Sequence, residues 1–270
     1  MKKILLILLC LPMIGFGQKT YVPDDNFENY LEASGMGDGI QLNDSVSTVS
    51  IEMLISLDIS FQNISDLTGI EDFISLSVLY CWNNNLTTLD ISHNIALTEL
   101  HCQDNNLTTL DLSNNTLLTD LRCQFTGITS IDLSGAISLT DLRCQHNQLT
   151  SLDISQNVNL LYLDCKYNQL TQLDLRNGNN MNMVAVLFEN PDLFCINVDD
   201  EFWSTMNWTN IDSTMFFSTN CNPSEIEEQT KNKELLKVTD LLGRETKPQT
   251  NTPFIEIYDD GTVEKRIVIE

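Results

Sequence analysis

Leucine and its aliphatic substitutes recur along this chain with two superposed periods. Over short distances they alternate: in Leu100-His101-Cys102 the outer residues face one way and the middle one the other, the two-residue period of a β-strand. Over long distances the phrase itself returns at a constant step of twenty-one positions, as Leu79-Tyr80-Cys81, Leu100-His101-Cys102, Leu121-Arg122-Cys123, Leu142-Arg143-Cys144 and Leu163-Asp164-Cys165. Leu57-Asp58-Ile59 precedes the series by twenty-two positions, and Val184-Ala185-Val186 follows it by twenty-one. A fixed period of this length predicts stacked coils, because a single strand and turn cannot bury its apolar side alone and must lean on its neighbours. Seven coils are predicted, over residues 51–192.

Each coil carries a second alternating run: Leu89-Asp90-Ile91, Leu110-Asp111-Leu112, Ile131-Asp132-Leu133, Leu152-Asp153-Ile154 and Leu173-Asp174-Leu175. Between the two runs stand Asn84, Asn105, Asn147 and Asn168, whose amides can bond the backbone of their own coil and of the adjoining one. Thr126 interrupts that series, which predicts one weaker turn. The position held by five cysteines accepts Ile59 and Val186 at the ends of the array, so it reads as a small buried apolar site where a free thiol packs as a hydrophobe. No C-x-x-C pair is present to suggest zinc bound by these cysteines.

The full phrase, L-x-x-L-x-C-x-x-N-x-L-x-x-L-D-L-S-x-N, resembles the leucine-rich repeats of bacterial surface proteins, especially the internalin-like kind. The stretch from Ile64 to Leu79, ISDLTGIEDFISLSVL, comes closest. The resemblance implies a leucine-rich repeat solenoid with parallel β-strands on its concave face, coils of twenty-one to twenty-two residues, N- and C-terminal caps and a small β-rich tail. It also implies a binding protein.

The flanks fit that plan. Residues 18–50 offer an N-terminal cap with an amphipathic helix, Asp25 as its N-cap and Phe27, Tyr30 and Leu31 on one side. Residues 193–222 offer a C-terminal cap in which Trp203, Trp208, Phe216 and Phe217 lie between Cys195 and Cys221. These two cysteines are expected to form a disulfide, since the chain reads as exported. Residues 1–17 place two lysines before an apolar run that ends in small residues, which predicts a signal peptide cleaved after Gly17 and no membrane span. Residues 223–232 read as a polar linker. Residues 233–270 resemble the C-terminal sorting tail of type IX secretion in its short flavobacterial form, on the strength of Asp240, Gly243, Arg244, Ile257, Tyr258, Gly261 and Lys265 to Ile269. A secreted or outer-surface location is what that resemblance implies.

Charge narrows the partners. The chain carries 14 basic against 38 acidic residues, a net charge of −24 that would repel a phosphate backbone, so nucleic acid is not an expected partner. The aspartates of the second run read as a solvated row, with calcium as the rival reading. None of the three histidines sits in a recognisable catalytic motif, and neither catalysis nor a cofactor nor a metal is expected.

Between Gln18 and Asn222 the only basic residues are Lys19, Arg122, Arg143, Lys166 and Arg176, and Arg122, Arg143 and Lys166 fall in or beside consecutive L-x-C strands. With Tyr80, Trp82, His101, Phe125, Tyr162 and Tyr167 they form the expected ligand-binding set, since aromatic and arginine side chains dominate binding energy at interfaces. A monomer that holds a protein or glycan ligand is the first reading. An envelope-coating role without a ligand and an accessory carbohydrate-binding role are the alternatives.

Overall fold

The computed structural model describes residues 17–221, 235–240, 243–247, 253–258 and 263–267. The leader expected over residues 1–17 falls outside them except for Gly17, as does the linker expected over 223–232. No helix among the described residues is long and apolar enough to cross a membrane. Residues 1–220 and 221–270 form two compact units.

In the first unit, seven short strands make one parallel sheet in chain order: Ser56–Asp58, Val78–Tyr80, Glu99–His101, Asp120–Arg122, Asp141–Arg143, Tyr162–Asp164 and Val184–Val186. Leu57, Leu79, Leu100, Leu121, Leu142 and Leu163 align across it and are buried. The last step corrects the sequence reading. Leu163 pairs with Ala185, and Asp164 with Val186, so the final coil is one residue longer and Val186 stands on the outward row. Leu187, fully buried, takes the cysteine position instead. The extra residue is accommodated in the loop that contains the 3-10 turn Asn180–Asn182.

The second run of each coil pairs more loosely. Thr109–Asp111 lies parallel to Ser130–Asp132, and Asp153 bridges Asp174. This row continues past residue 192: Leu173–Asp174 pairs with Cys195–Asn197, which pairs with Phe216–Ser218, all parallel. The segment expected as a separate cap is thus built partly as further solenoid. Where an eighth first strand would stand, the helix Glu201–Asn207 intervenes, and the chain after it closes the core. The Trp208 indole donates to the Met183 carbonyl at 2.9 Å, and the Leu187 amide donates to Asn210. Cys195 and Cys221 are each disulfide-bonded.

Buried asparagines bind coil to coil. The Asn105 amide donates to the carbonyls of Cys81 and Cys102 at 3.0 Å each, and its oxygen accepts the Leu86 amide; Asn147 and Asn168 repeat the arrangement, and Asn190 extends it. Thr126 keeps half of it. Its hydroxyl donates within the coil to Cys123 at 2.8 Å, but a threonine has no amide to reach back to Cys102. A second buried row, Asn94, Asn115 and Asn157, stands at the opposite turn and donates only to the preceding coil: Asn94 to Ile70 and Phe73, Asn115 to Ile91 and Asn94, Asn157 to Leu133 and Ala136. In that row Ala136 replaces asparagine, and beside it Gly135 comes so close to the previous coil that a Cβ there would lie 2.0 Å from the Ser113 carbonyl oxygen.

The N-terminal helix runs Asp25–Ala33, and its N-cap is Asp24 rather than Asp25. One Asp24 oxygen accepts the amides of Asn26 and Phe27 at the helix start. The other accepts the Ser65 amide and hydroxyl at 2.8 Å, which ties the cap to the first coil. Phe27 and Leu31 are fully buried, while Tyr30 packs partly buried against the same core. The second unit is a three-stranded antiparallel sheet of Leu235–Thr239, Pro253–Tyr258 and Val263–Ile267. At its turn the Gly243 amide donates to Asp240, and the Arg244 guanidinium bonds the Asp240 carboxylate at 2.7 Å.

Candidate functional site

Alternation along each strand sends the aligned leucines inward and the residues beside them outward, so the sheet displays side chains in rows across the coils. One row runs Glu99, Asp120, Asp141, Tyr162; the next runs Tyr80, His101, Arg122, Arg143, Asp164. Three cations on this face are already paired, each with an aspartate two residues earlier on its own chain segment. Arg122 meets Asp120 at 3.2 Å, Arg143 meets Asp141 at 3.0 Å and Lys166 meets Asp164 at 3.0 Å. The Arg143 guanidinium also lies 4.9 Å from the Tyr162 ring centre.

At the His101 strand the rows converge. The Tyr80 hydroxyl donates to Glu99 at 2.6 Å, and that bond pushes the phenol up to about 12, because ionising it would set two anions together. The Tyr80 ring stacks on the His101 ring at 4.4 Å between centres. His101 is only 8% exposed, and its Nε2 stands 3.1 Å from Glu99 and 3.5 Å from Asp120. Burial acts to raise the Asp120 carboxyl, but His101 and Arg122 beside it outweigh that and hold it below its ordinary value.

Along the turn that follows the strands runs an aromatic file. Phe125 stacks on His146 and His146 on Tyr167, both at 4.3 Å with nearly parallel planes, and Tyr167 meets Phe188 edge-on at 5.5 Å. Phe61 and Trp82 make a separate edge contact at 4.2 Å. Phe125, His146 and Tyr167 all have left-handed backbone, with φ of 56°, 55° and 53°, so one turn geometry places each of these rings over the next. His146 is covered on both faces, by Phe125 and by Tyr167, while Phe125 stays 51% and Tyr167 41% exposed.

Behind this face Cys81, Cys102, Cys123, Cys144 and Cys165 are free and fully buried. Burial raises every one of these thiols, Cys102 to about 12, so they stay protonated and poorly nucleophilic at neutral pH. On the second row the aspartates serve their own turns. Asp90, Asp111, Asp132 and Asp153 each accept the amide of the serine two residues on, at 2.8–3.0 Å, and Asp174 accepts that of Arg176. The uniformity of that row follows from turn chemistry.

Comparison with known proteins agrees with this geometry, although no family model matches the chain. Internalin J of Listeria monocytogenes serotype 4b (strain F2365) is 42% identical over 74 residues, which are 27% of this chain and 8% of that protein. A solved functional domain of InlJ from Listeria monocytogenes, described as including a cysteine ladder, is 30% identical, covering 67% of this chain and 52% of that one with a TM-score of 0.42. The crystal structure of internalin C2 from Listeria monocytogenes strain 4b F2365 superposes with a TM-score of 0.53 at 19% identity, covering 74% of this chain and 97% of that one. The fold is an internalin-like leucine-rich repeat. The chain matches less than a tenth of the curated relative's length.

On this leucine-rich repeat solenoid the residues expected to bind a ligand divide into two groups. Tyr80, His101, Arg122, Arg143 and Tyr162 stand on the seven strands, with Lys166 just beyond. Trp82, Phe125 and Tyr167 belong to the following turn, in two separate aromatic contacts. Sequence reasoning missed His146 and Phe188 in the file, and it missed Glu99 and Asp120 as a cluster with His101. The 21-residue register held the signal, because it sets Glu99 beside Asp120 and His101 beside Arg122.

Proposed function

We propose that the chain is an exported binding protein whose seven-stranded face holds a protein partner. The observation that carries this reading is the row of pre-paired charges in adjacent coils, Asp120–Arg122, Asp141–Arg143 and Asp164–Lys166, on a solenoid otherwise almost devoid of cations. Side chains already fixed by partners lose little freedom on binding, and arginine beside tyrosine is a common anchor. Glycan is the weaker ligand class. A sugar ring packs on an open aromatic face, whereas the central ring of the file, His146, is covered on both sides by Phe125 and Tyr167.

The test is capture of envelope and host proteins by the full chain, in parallel with a glycan array. A partner retained by the wild type should be lost from Arg122→Glu combined with Arg143→Glu and kept by Asp111→Asn combined with Asp132→Asn. Equal capture by the charge-reversed protein would move the site off this face. Export is read from the tail, whose Asp240, Gly243 and Arg244 form a closed turn and carry the likeness to type IX sorting segments. Removing residues 233–270 should then hold the protein in the periplasm; normal appearance at the surface or in the medium would refute that role.

A further inference from the structure

Three lone-pair donors converge at one point on the strand face. His101 Nε2 lies 3.1 Å from Glu99 Oε1 and 3.5 Å from Asp120 Oδ1, and one ligand atom from each of the three residues lies within 4.8 Å of the others. The imidazole is nine-tenths buried, and its Nε2 makes no hydrogen bond in spite of these two close oxygens. A buried imidazole nitrogen with two carboxylate oxygens within 3.5 Å and bonded to neither leaves a place for a cation at their common focus.

We propose that Glu99, His101 and Asp120 form a zinc site, with one imidazole and two carboxylates as ligands and a fourth position open to solvent. Zinc bonds to nitrogen and oxygen of about 2.0–2.2 Å set the atoms of a tetrahedral shell roughly 3.3–3.6 Å apart, close to the two separations seen here. The ligand set also suits a borderline first-row dication better than calcium, which takes oxygens alone and more of them. Supporting bonds hold two of the three ligands. Tyr80 donates to Glu99, and Arg122 donates to Asp120, in the way that outer partners orient metal ligands elsewhere. With a neutral imidazole, Glu99, Asp120 and Arg122 sum to one negative charge, within a chain of net charge −24, so the field favours a dication. The site shares Asp120 and Arg122 with the partner-binding face, but zinc binding needs no partner, so the two readings can fail separately.

Zinc chloride titrated into the full chain in a non-chelating buffer tests it, with bound metal counted after gel filtration. One zinc per chain is expected, together with a melting temperature that climbs with zinc concentration, as for any ligand held only by the folded state. His101→Phe preserves the ring stack on Tyr80 and Glu99→Gln preserves volume; each should weaken zinc binding by more than about tenfold. If His101→Phe fails to fold, Glu99→Gln alone decides the matter. Asp111→Asn combined with Asp132→Asn, on the second row, should leave the affinity unchanged. Cobalt in place of zinc separates this site from the buried thiols, because thiolate ligation adds intense charge-transfer absorption that imidazole and carboxylate do not. Absence of stoichiometric zinc, affinity unaltered by Glu99→Gln, or a thiolate spectrum with cobalt would overturn the assignment.

Discussion

The row of Asp90, Asp111, Asp132, Asp153 and Asp174 and the row of Tyr80, His101, Arg122, Arg143 and Asp164 belong to the same coils and repeat with nearly the same period. In the first, identical side chains repeat because each accepts its own turn's amide, so the residue is dictated by the backbone it serves. In the second, the chain has already satisfied its backbone in the parallel ladder, and the outward side chains differ from coil to coil. Uniformity therefore marks a structural duty. Variation marks the face proposed to select a ligand, and the same contrast can be tested from inside and out.

The largest effect should come from the thiols on which the varied face rests. An unfolded thiol ionises near about 8.5, whereas burial raises all five here, Cys102 to about 12. Below the unfolded value this stabilisation is fully present; as pH climbs toward the folded values the unfolded chain sheds protons that the folded chain retains, and stability falls. Well above the unfolded value, where the unfolded thiols are fully ionised, five together approach a limiting slope of about 7 kcal/mol per pH unit. Urea midpoints between pH 7 and 10 check this, and a profile no steeper than that of a Cys102→Ala, Cys144→Ala variant would contradict the buried state.

A middle-sized effect separates the coil-linking asparagines from their one exception. Asn147 donates to Cys123 and Cys144 and accepts from Thr126, Gly127 and Ile128, so Asn147→Ala should cost about 3 kcal/mol or more by leaving buried groups unpaired. Thr126→Asn should instead restore the missing link to Cys102 and gain about 1 kcal/mol. Denaturant titration of both variants decides it, and a destabilised Thr126→Asn would show that the coil has adapted to threonine. The smallest effect belongs to the aspartate row: Asp111→Ala should lower stability by less than about 1 kcal/mol, since the Ser113 amide it frees can turn to water. A larger loss would mean that the uniform row does more than hold its turns.

Much of this was legible in the residues themselves. The two-residue alternation and the 21-residue return placed the strands, the buried cysteines and the first asparagine row, because each rests on contacts inside one coil or between adjacent ones. Other features depended on where the chain slips register. Val186 could not be told from Leu187 as the occupant of the cysteine position without the extra residue before Val184, and Asp25 could not be told from Asp24 as N-cap without Ser65 coming into reach. The His101 cluster needed the same register applied crosswise, reading down a column of strands instead of along one.

Asn105, Asn147 and Asn168 each reach backwards, donating to the coil made before their own. One coil's link therefore looks much like the next one's, and nothing in the middle of the array records how many coils there are. An added 21-residue unit between Cys123 and Cys144 should slot in as one more turn, its asparagine serving the older neighbour while the younger neighbour serves it. Length is then a free variable of this protein, open to change by duplication. Asp24 at one end and Trp208 at the other, which have no counterpart in the repeats, are where growth has to stop.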